Sequence, residues 1–454
     1  MIDLIKQALG QCGTDYCEVR LEQRVTTSVN YSGKELEAIG SNTSSGGNVR
    51  ALHKGGWGFA SFNTIGELPA KMAEAERAAR LVGRGRSMLA KVKPVRDDVK
   101  LVIGDDPREV PLEEKEALCR RYNELILRQQ GVISSRVRYE DTFKQQTFAN
   151  TEGADITEQR LYCGLGFSAI AKQGANVQTA HDSYGGGAVG FSQLKDLDEL
   201  VGDVARDAVG LLAADKVTAG TYTVVVDPKM CGVFAHEAFG HLSESDHIYE
   251  NAKLRTMMTL GKKFGPAKLS IVDDATIAGE RGNYRYDEEG VPARKNYLIR
   301  NGTLVGRLHS RETAGKMGER PTGSCRAISH QFKPIVRMGC TYIEPRDCSF
   351  ERMVGEIDRG LYVVSALGGM TELEMFTFSA MKAYLIQRGK VGPMVRDVIL
   401  TGNVFETLRN IDAIGNDLQL HGGLGGCGKD GQSPLPVSDG GPHVRIRNVV
   451  IGGK

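Results

Sequence analysis

The chain has 454 residues, of which 58 are Lys or Arg and 56 are Asp or Glu, giving a formal net charge of +2. This length exceeds what one hydrophobic core normally supports, so it predicts two domains, and the balanced charge argues against direct binding of nucleic acid or an anionic membrane. Nine scattered cysteines without a CxxC pair, an N-terminus unlike an export signal and the lack of a long apolar run indicate a cytoplasmic protein.

The first half of the chain mixes strand and helix patterns. The predicted elements, in chain order, are a strand in 17–25, a hairpin in 48–62, helices over 70–82 and 113–130, extended segments in 134–190 and a helix carrying the apolar positions 197–211. Gly83 and Gly131 end the first two helices. We therefore expect an α+β domain over residues 1–216.

The second half is predicted to consist mostly of strands and turns. "TYTVVVDP" (221–228) is typical of a buried strand followed by a helix that starts at Asp227-Pro228. "YLIRNGTLVG" predicts a hairpin, because Asn301-Gly302 accepts the positive φ values of a type I′ turn. "HVRIRNVVIGG", near the end, predicts a half-buried strand. The expected fold class is α+β, with a strand-rich C-terminal domain over residues 217–454 that carries the helix starting at 227.

That helix contains "HEAFGHLSESD", residues 236–246, in which two histidines flank a glutamate. In the zincin pattern the histidines stand four apart and share one helical face, whereas His236 and His241 stand five apart and would diverge by about 140° on a regular helix. A π-type bulge would make the five-residue spacing behave like four, and Gly240 would ease that distortion. The alternative is that both histidines are ordinary helix residues and Glu237 is a solvated carboxylate.

Three polar residues just after the second histidine are further candidate ligands. These are Glu244, Asp246 and His247. The alternative interpretation, a polar loop that follows a helix, is favoured for all three.

A second unusual segment, "HGGLGGCGKDGQS" (421–433), has three interpretations. It matches the first positions of a phosphate loop up to Lys429, but Asp430 stands where Ser or Thr should meet magnesium. It also contains GxGxxG, without a convincing strand before it or helix after it. The third interpretation is a tight glycine turn that presents Cys427 as a thiolate close to a site, and its alternative is a surface turn with an incidental cysteine.

Together these segments resemble the TldD/PmbA family of metallopeptidases, also called modulator of DNA gyrase. The resemblance covers nearly the whole chain and rests on six segments that occur in one order. They are "VRALHKGGWGFAS", "HEAFGHLSESD", "DEEGVPARKNYLIRNGTLVG", "FTFSAMKAYLIQRGK", "LTGNVFETLRNIDAIGND" and "GGCGKDGQS". One branch of the family, called TldE or PmbA, lacks the histidine motif; this chain has it and is similar to the TldD branch.

The resemblance implies a site and a function. His236, His241 and Cys427 would bind Zn²⁺, and Glu237 would be the general base toward a metal-bound water. The implied activity is that of a cytosolic zinc metalloprotease that hydrolyses unfolded or small peptides, in peptide-precursor or antitoxin-type processing. The implied assembly is a homodimer or a heterodimer with a TldE/PmbA-like subunit.

Two points stay open at this stage. The oxyanion-stabilising group has three candidates, His309, His330 and Arg326, for each of which a structural role is favoured. The alternative function is a non-catalytic peptide- or partner-binding subunit with a structural metal site, in which His247 or Asp246 would supply a fourth ligand.

Overall fold

The computed structural model describes residues 2–452. It confirms the α+β class, because sheets occur in both halves of the chain and helices pack against them. Within these residues, no helix combines the length and apolarity that crossing a membrane requires.

One seven-stranded sheet organises the N-terminal half. Its strands are β1 (Tyr16–Ser32), β2 (Glu35–His53), β3 (Gly56–Phe62), β4 (Arg96–Val99), β5 (Val132–Asn150), β6 (Asp155–Gln173) and β7 (Asn176–Gly187). They run in the order β3-β2-β1-β5-β6-β4, and β7 pairs with a different part of β6 from β4. The predicted hairpin is confirmed, and its turn uses positive φ at Lys54 and Gly55.

Four α-helices belong to this half within the described residues. They are α1 (Ile2–Leu9), α2 (Leu68–Val82), α3 (Leu112–Leu127) and α4 (Asp198–Ala213). The last three confirm the predicted helices, although α3 ends at Leu127 rather than at residue 130; α1 was not predicted. The apolar side of α2 packs on β2 and β3, while α3 and α4 pack on β5, β6 and β7. One face of the sheet is therefore covered by amphipathic helices.

The sheet also bears buried charges, which meet a turn of the C-terminal half. Because side chains alternate along a strand, Glu18 and Glu22 of β1 share a face. We call the following residues the interface ion-pair network: Glu18, Glu22, Arg50, Lys144, Glu158 and Arg160 of the sheet, with Glu288 and Glu289 of the turn. All of these side chains are at most 9% exposed.

The C-terminal half contains eighteen strands of different lengths within the described range. They are β8 (Asp215–Lys216), β9 (Gly220–Val226), β10 (Ile271–Asp274), β11 (Lys295–Arg300), β12 (Thr303–Leu304), β13 (Cys325–Arg326), β14 (Ile335–Val336), β15 (Cys340–Ile343), β16 (Arg359–Glu372), β17 (Met375–Gln387), β18 (Lys390–Arg396), β19 (Ile399–Asn403), β20 (Ile411–Ile414), β21 (Gln419–His421), β22 (Cys427–Lys429), β23 (Gln432–Leu435), β24 (Ser438–Gly441) and β25 (Val444–Gly452). The predicted strand 221–226, the Asn301-Gly302 hairpin and the terminal strand are confirmed as β9, β11–β12 and β25.

Two larger sheets frame the C-terminal core. The first runs β16-β9-β25-β19-β17-β18-β8, with β20 on β25, and β16 also pairs with β17, so five of its strands form a closed ring. The second runs β12-β11-β10-β15-β24-β21. The pairs β13–β14 and β22–β23 are separate hairpins.

Six short helices complete this half. They are α5 (Pro228–Ala235), α6 (Ser245–Glu250), α7 (Ala252–Met257), α8 (Arg311–Met317), α9 (Phe350–Gly355) and α10 (Val404–Arg409). Helix α5 packs against β15, β21 and β24 of the six-stranded sheet and against β16 of the ring. The histidine motif therefore starts from a helix held between two sheets.

Candidate metal centre

The motif helix begins where the sequence predicted. Buried strand β9 leads into Asp227, whose carboxylate accepts a hydrogen bond from the backbone N–H of Met230 at 2.8 Å, and Pro228 occupies the first helical position. An N-cap side chain and a proline at this position both favour helix initiation. The buried strand and the N-cap that precede the helix thus fix the position at which the motif helix begins.

A π-helical turn follows α5 over His236–Gly240, and a 3₁₀ turn follows over His241–Ser243. The π turn adds the one residue that the five-residue spacing requires, so the predicted bulge is confirmed. The two imidazole rings lie with their centroids 5.2 Å apart. The chain thereby brings together two histidines that a regular helix would separate.

Gly240 serves this turn by leaving room rather than by adopting an unusual backbone conformation. Its φ is −57°, an ordinary helical value. A Cβ atom on Gly240 would lie 2.0 Å from the sulfur of buried Met338. The reason for glycine here is therefore close packing, not the backbone freedom that we expected.

Cys427 reaches the histidines from the other end of the C-terminal half. Its Sγ lies 3.3 Å from Nε2 of His241. One donor atom from each of His236, His241 and Cys427 can be chosen so that all lie within 4.8 Å of one another. The structure thus brings together the three predicted ligands, whose role as ligands stays a prediction.

The glycine turn before Cys427 packs closely on the N-terminal half. Gly423 has a φ of +52°, and a Cβ atom there would lie 2.0 Å from Oγ of Ser183 in β7. Such a close approach and such a φ both favour glycine. After the turn the chain continues as the β22–β23 hairpin rather than as a helix, so both nucleotide-binding interpretations are wrong.

Arg337 braces the hairpin that carries Cys427. This fully buried guanidinium donates to the carbonyl oxygen of Cys427 at 2.7 Å and to that of Gln432 at 3.2 Å. Both strands of the hairpin are therefore held by one side chain. The sequence contained no signal for this role of Arg337.

Glu237 lies beside the donors and remains accessible. Its Oε2 is 3.9 Å from Nε2 of His241, and its side chain is 31% exposed. A carboxylate at this distance from the donor atoms can reach a water molecule bound among them. The role of Glu237 as a general base stays a prediction.

The three polar residues that follow His241 do not belong to the cluster of donors. Glu244 lies behind His241, with Oε2 3.0 Å from Nδ1. Asp246 accepts from Nζ of Lys429 at 2.7 Å, and His247 is 44% exposed with Nε2 3.9 Å from Asp430. Among residues 2–452, neither Asp246 nor His247 belongs to the cluster of donors.

The three oxyanion candidates are engaged elsewhere. His309 contacts Ser245, Thr313 and Glu319 at 3.1 Å each. Arg326 donates to the carbonyl oxygens of Met338 and Pro436, and His330 contacts Asn63 at 3.3 Å. These contacts correspond to the structural roles favoured from the sequence.

The donors shift one another's protonation. Burial disfavours a charged imidazole, but the Glu244 carboxylate and the Cys427 sulfur outweigh it and raise the pKa of His241 to about 11. Burial also opposes ionisation of Cys427, yet hydrogen bonds to His236 and His241 lower the pKa of this thiol to about 5. A cysteine that ionises so readily is prepared for a metal, and metal binding would release the imidazole protons.

The residues present fit a zinc ion. Nδ1 of His236 is buried and has no hydrogen-bond partner in the described part of the chain, which is uncommon for a buried polar atom. Two imidazoles and a thiolate form a donor set that suits zinc, and three protein ligands are the number found at catalytic zinc sites.

The chain is similar to known proteins over most of its length. Sequence models of the PmbA/TldA metallopeptidase match the chain in three parts: domain 1 over residues 17–82, the central domain over 105–216 and the C-terminal domain over 219–453. A metalloprotease of Synechocystis sp. is 43% identical over 98% of this chain and 96% of that protein.

Two more distant proteins are similar over the full length. A protein of Saccharolobus solfataricus named zinc metalloprotease TldD homolog is 25% identical over 100% of both chains. The crystal structure of TldE from Thermococcus kodakarensis superposes with a TM-score of 0.77 over 100% of both chains at 17% identity, which is a likeness of fold.

Proposed function

This chain belongs to the PmbA/TldA metallopeptidase family, and from that premise we propose that it is a zinc metallopeptidase that hydrolyses unfolded or small peptides. The observation that carries the proposal is the convergence of His236, His241 and Cys427, with the accessible carboxylate of Glu237 beside them. A donor cluster with a neighbouring accessible carboxylate suits hydrolysis better than a closed structural site.

His236, His241 and Cys427 would hold the zinc ion. When bound, zinc supplies Lewis acidity, which lowers the pKa of water and polarises a peptide carbonyl. Arg337 holds the Cys427 segment in place through the backbone, so the sulfur is presented by a rigid hairpin. The name of the Saccharolobus relative supports zinc as the metal.

Glu237 would move the protons of the reaction. Its Oε2 accepts a proton from the water that attacks the peptide carbonyl, and the same carboxyl then donates that proton to the leaving amine. The partial exposure of this side chain leaves room for a peptide next to it. Behind His241, whose side chain is 22% exposed, the carboxylate of Glu244 is fully buried and so lies on the inner side of the site.

The assembly and location are part of the proposal. A solved structure of similar fold is a TldE, which supports a heterodimer with a TldE/PmbA-like subunit, and a homodimer is the alternative assembly. We expect the enzyme to act in the cytoplasm on peptide precursors or antitoxin-type substrates.

We also propose residues 1–216 and 217–454 as the two domains. The seven-stranded sheet uses residues 16–187, whereas the donors and, apart from the two-residue edge strand β8 (Asp215–Lys216), their supporting sheets come from residues beyond 217. Limited proteolysis that releases a stable fragment ending near residue 216 would support this boundary, and first cleavage within either half would contradict it.

The test is hydrolysis of a library of unstructured peptides by zinc-loaded protein, followed by mass spectrometry. Glu237→Gln should lower the rate by about 10²- to 10⁴-fold, the usual contribution of a general base, while zinc content stays unchanged. Glu312→Gln is the matched control, because Glu312 is a similarly exposed helical glutamate (30%) outside the donor cluster. Equal product formation by wild type and Glu237→Gln would contradict the proposal.

A further inference from the structure

We propose that Glu244 and Lys429 position the metal-binding donors, Glu244 by orienting the ring of His241 and Lys429 by tying that carboxylate to the strand that carries Cys427. This inference rests on the proposed zinc site and concerns residues that would not touch the ion. Glu244 and Lys429 are positioning residues, not ligands.

Glu244 selects which nitrogen of His241 faces the donor cluster. Its side chain is 0% exposed, and its Oε2 lies 3.0 Å from Nδ1 of His241. The other ring nitrogen, Nε2, is the one that lies 3.3 Å from the sulfur of Cys427. A hydrogen on Nδ1 that is donated to Glu244 leaves the lone pair of Nε2 directed at the metal position.

The second histidine is held differently. Nδ1 of His236 has no hydrogen-bond partner within residues 2–452. The carboxylate of Glu244 is hydrogen-bonded to His241 and not to His236. Any loss of orientation caused by a change at Glu244 should act through His241.

Lys429 connects the carboxylate to the cysteine strand. Its Nζ lies 3.2 Å from Oε2 of Glu244, 2.7 Å from Oδ1 of Asp246 and 3.0 Å from the carbonyl oxygen of Val336. Lys429 stands two residues after Cys427 in β22, and both residues are buried whereas Gly428 between them is exposed. A single ammonium group thus joins the end of the histidine motif to the strand of the third donor.

Burial makes this pair interdependent. The Lys429 side chain is 3% exposed and that of Glu244 is not exposed at all. A buried carboxylate is costly unless it is paired, so removing Lys429 leaves fully buried Glu244 with His241 as its remaining partner. Removing both charges together avoids that cost at Glu244 and leaves unpaired only the partly exposed carboxylate of Asp246, so it should preserve the fold better than removing Lys429 alone.

The alternative role is purely structural, and the chain offers a matched case. Lys115 and Asp141 form a buried pair at 2.7 Å in the N-terminal half, with side chains 3% and 2% exposed. Neither residue belongs to the donor cluster. Lys115→Met therefore reports what the loss of a buried lysine does without any contact to a donor.

The experiment measures metal affinity rather than hydrolysis. Zinc is titrated into metal-free protein against a chromophoric chelator, and cobalt is titrated while the thiolate-to-cobalt absorption band is recorded. The variants are Glu244→Gln, Lys429→Met, the double variant Glu244→Met/Lys429→Met and the control Lys115→Met. Thermal unfolding of each metal-free variant reports folding independently.

The expected result is a zinc affinity about 10- to 100-fold weaker for Glu244→Gln and for the double variant, the usual cost of losing a partner of a metal-binding histidine. The double variant should unfold at a higher temperature than Lys429→Met, yet bind zinc no better. Lys115→Met should keep the affinity of the wild type.

Two outcomes would overturn the inference while the proposed function stands. One is a folded double variant with wild-type zinc affinity and an unchanged cobalt spectrum. The other is an equal loss of affinity in Lys115→Met. If wild type itself bound zinc weakly and gave no thiolate-to-cobalt band, the proposed function would fail first, and this inference with it.

Discussion

The candidate metal centre and the interface ion-pair network are both buried clusters of ionisable side chains, yet they are built in opposite ways. In the network each charge faces an opposite one: Lys144 lies 3.1 Å from Glu22 and 3.5 Å from Glu288, and Arg50 lies between Glu18 and Glu289. In the metal centre the donor atoms of two imidazoles and a sulfur converge within 4.8 Å of one another, and buried polar atoms without a hydrogen-bond partner occur in both clusters.

The difference shows what distinguishes a binding site from a structural cluster. Burial and charge are common to both, and perturbed acid–base behaviour alone would indicate both. Only the metal centre combines converging donor atoms with an accessible carboxylate. Breaking the metal centre should therefore affect metal and activity, whereas breaking the network should affect stability alone.

The largest effect on zinc affinity is expected from loss of the Cys427 sulfur. Cys427→Ala removes a donor outright, so zinc affinity should fall by more than the roughly 100-fold upper cost of losing an outer partner of a ligand. Competition titration against a chelator measures this loss. Cys348→Ala is the control, because Cys348 is partly buried in the C-terminal half and is not in the donor cluster. Retained stoichiometric zinc in Cys427→Ala would refute the assignment of this ligand.

Lys144→Met should break the network instead. It leaves Glu22 and Glu288 without their shared ammonium, and loss of one partner from a buried pair costs about 3–5 kcal/mol. Chemical denaturation measures the free energy of unfolding, and zinc affinity should not change. Lys100→Met, which breaks an ion pair with both side chains 58% exposed, should cost less than about 1 kcal/mol. If Lys144→Met and Lys100→Met lowered the free energy of unfolding by similar amounts, the buried network would stabilise the fold no more than an exposed ion pair does.

The network should also make the free energy of unfolding depend on pH in the acidic range. Burial disfavours the charged form of Glu22, but Lys144 and Arg24 outweigh it and lower the pKa of Glu22 from 4.5 to about 2. Because the folded pKa lies below the unfolded one, this contribution is complete above pH 4.5 and is lost as the pH falls toward 2. At about 1.4 kcal/mol per pKa unit it is on the order of 3 kcal/mol. Glu22→Gln should flatten the decline in unfolding free energy between these pH values, and an unchanged slope would exclude Glu22 as its source.

The smallest effect is expected at the π turn. Gly240→Ala places a methyl group 2.0 Å from the sulfur of Met338, an overpacking that typically costs about 1–3 kcal/mol. Thermal unfolding measures this cost, and in a double-mutant cycle Gly240→Ala should cost less in a Met338→Ala background than in the wild type. If Gly240→Ala cost the same in both backgrounds, contact with Met338 would not be the reason for glycine.

Much of the local structure follows from the sequence because local rules decide it. Helices α2 and α4, the hairpin turn at Lys54-Gly55 and the Asn301-Gly302 turn follow from apolar periodicity and from residues that accept positive φ. The five-residue spacing of His236 and His241 indicated a π turn as the way in which a helix could bring the two rings together, with ordinary helix residues as the alternative, and the structure has that turn. The resemblance to a family, carried by several motifs in order, pointed to Cys427.

Only the tertiary structure decided how the site is supported. His241 and Cys427 are separated by 186 residues, and no periodicity reports which side chains meet across that distance. Lys429 looked like the lysine of a phosphate loop but is buried against Glu244 and Asp246, and Arg337 carried no signal at all. The same applies to the interface ion-pair network, whose strands and turn come from different halves. A pattern along the chain reflects the conformation of neighbouring residues, whereas these contacts depend on how separate sheets pack.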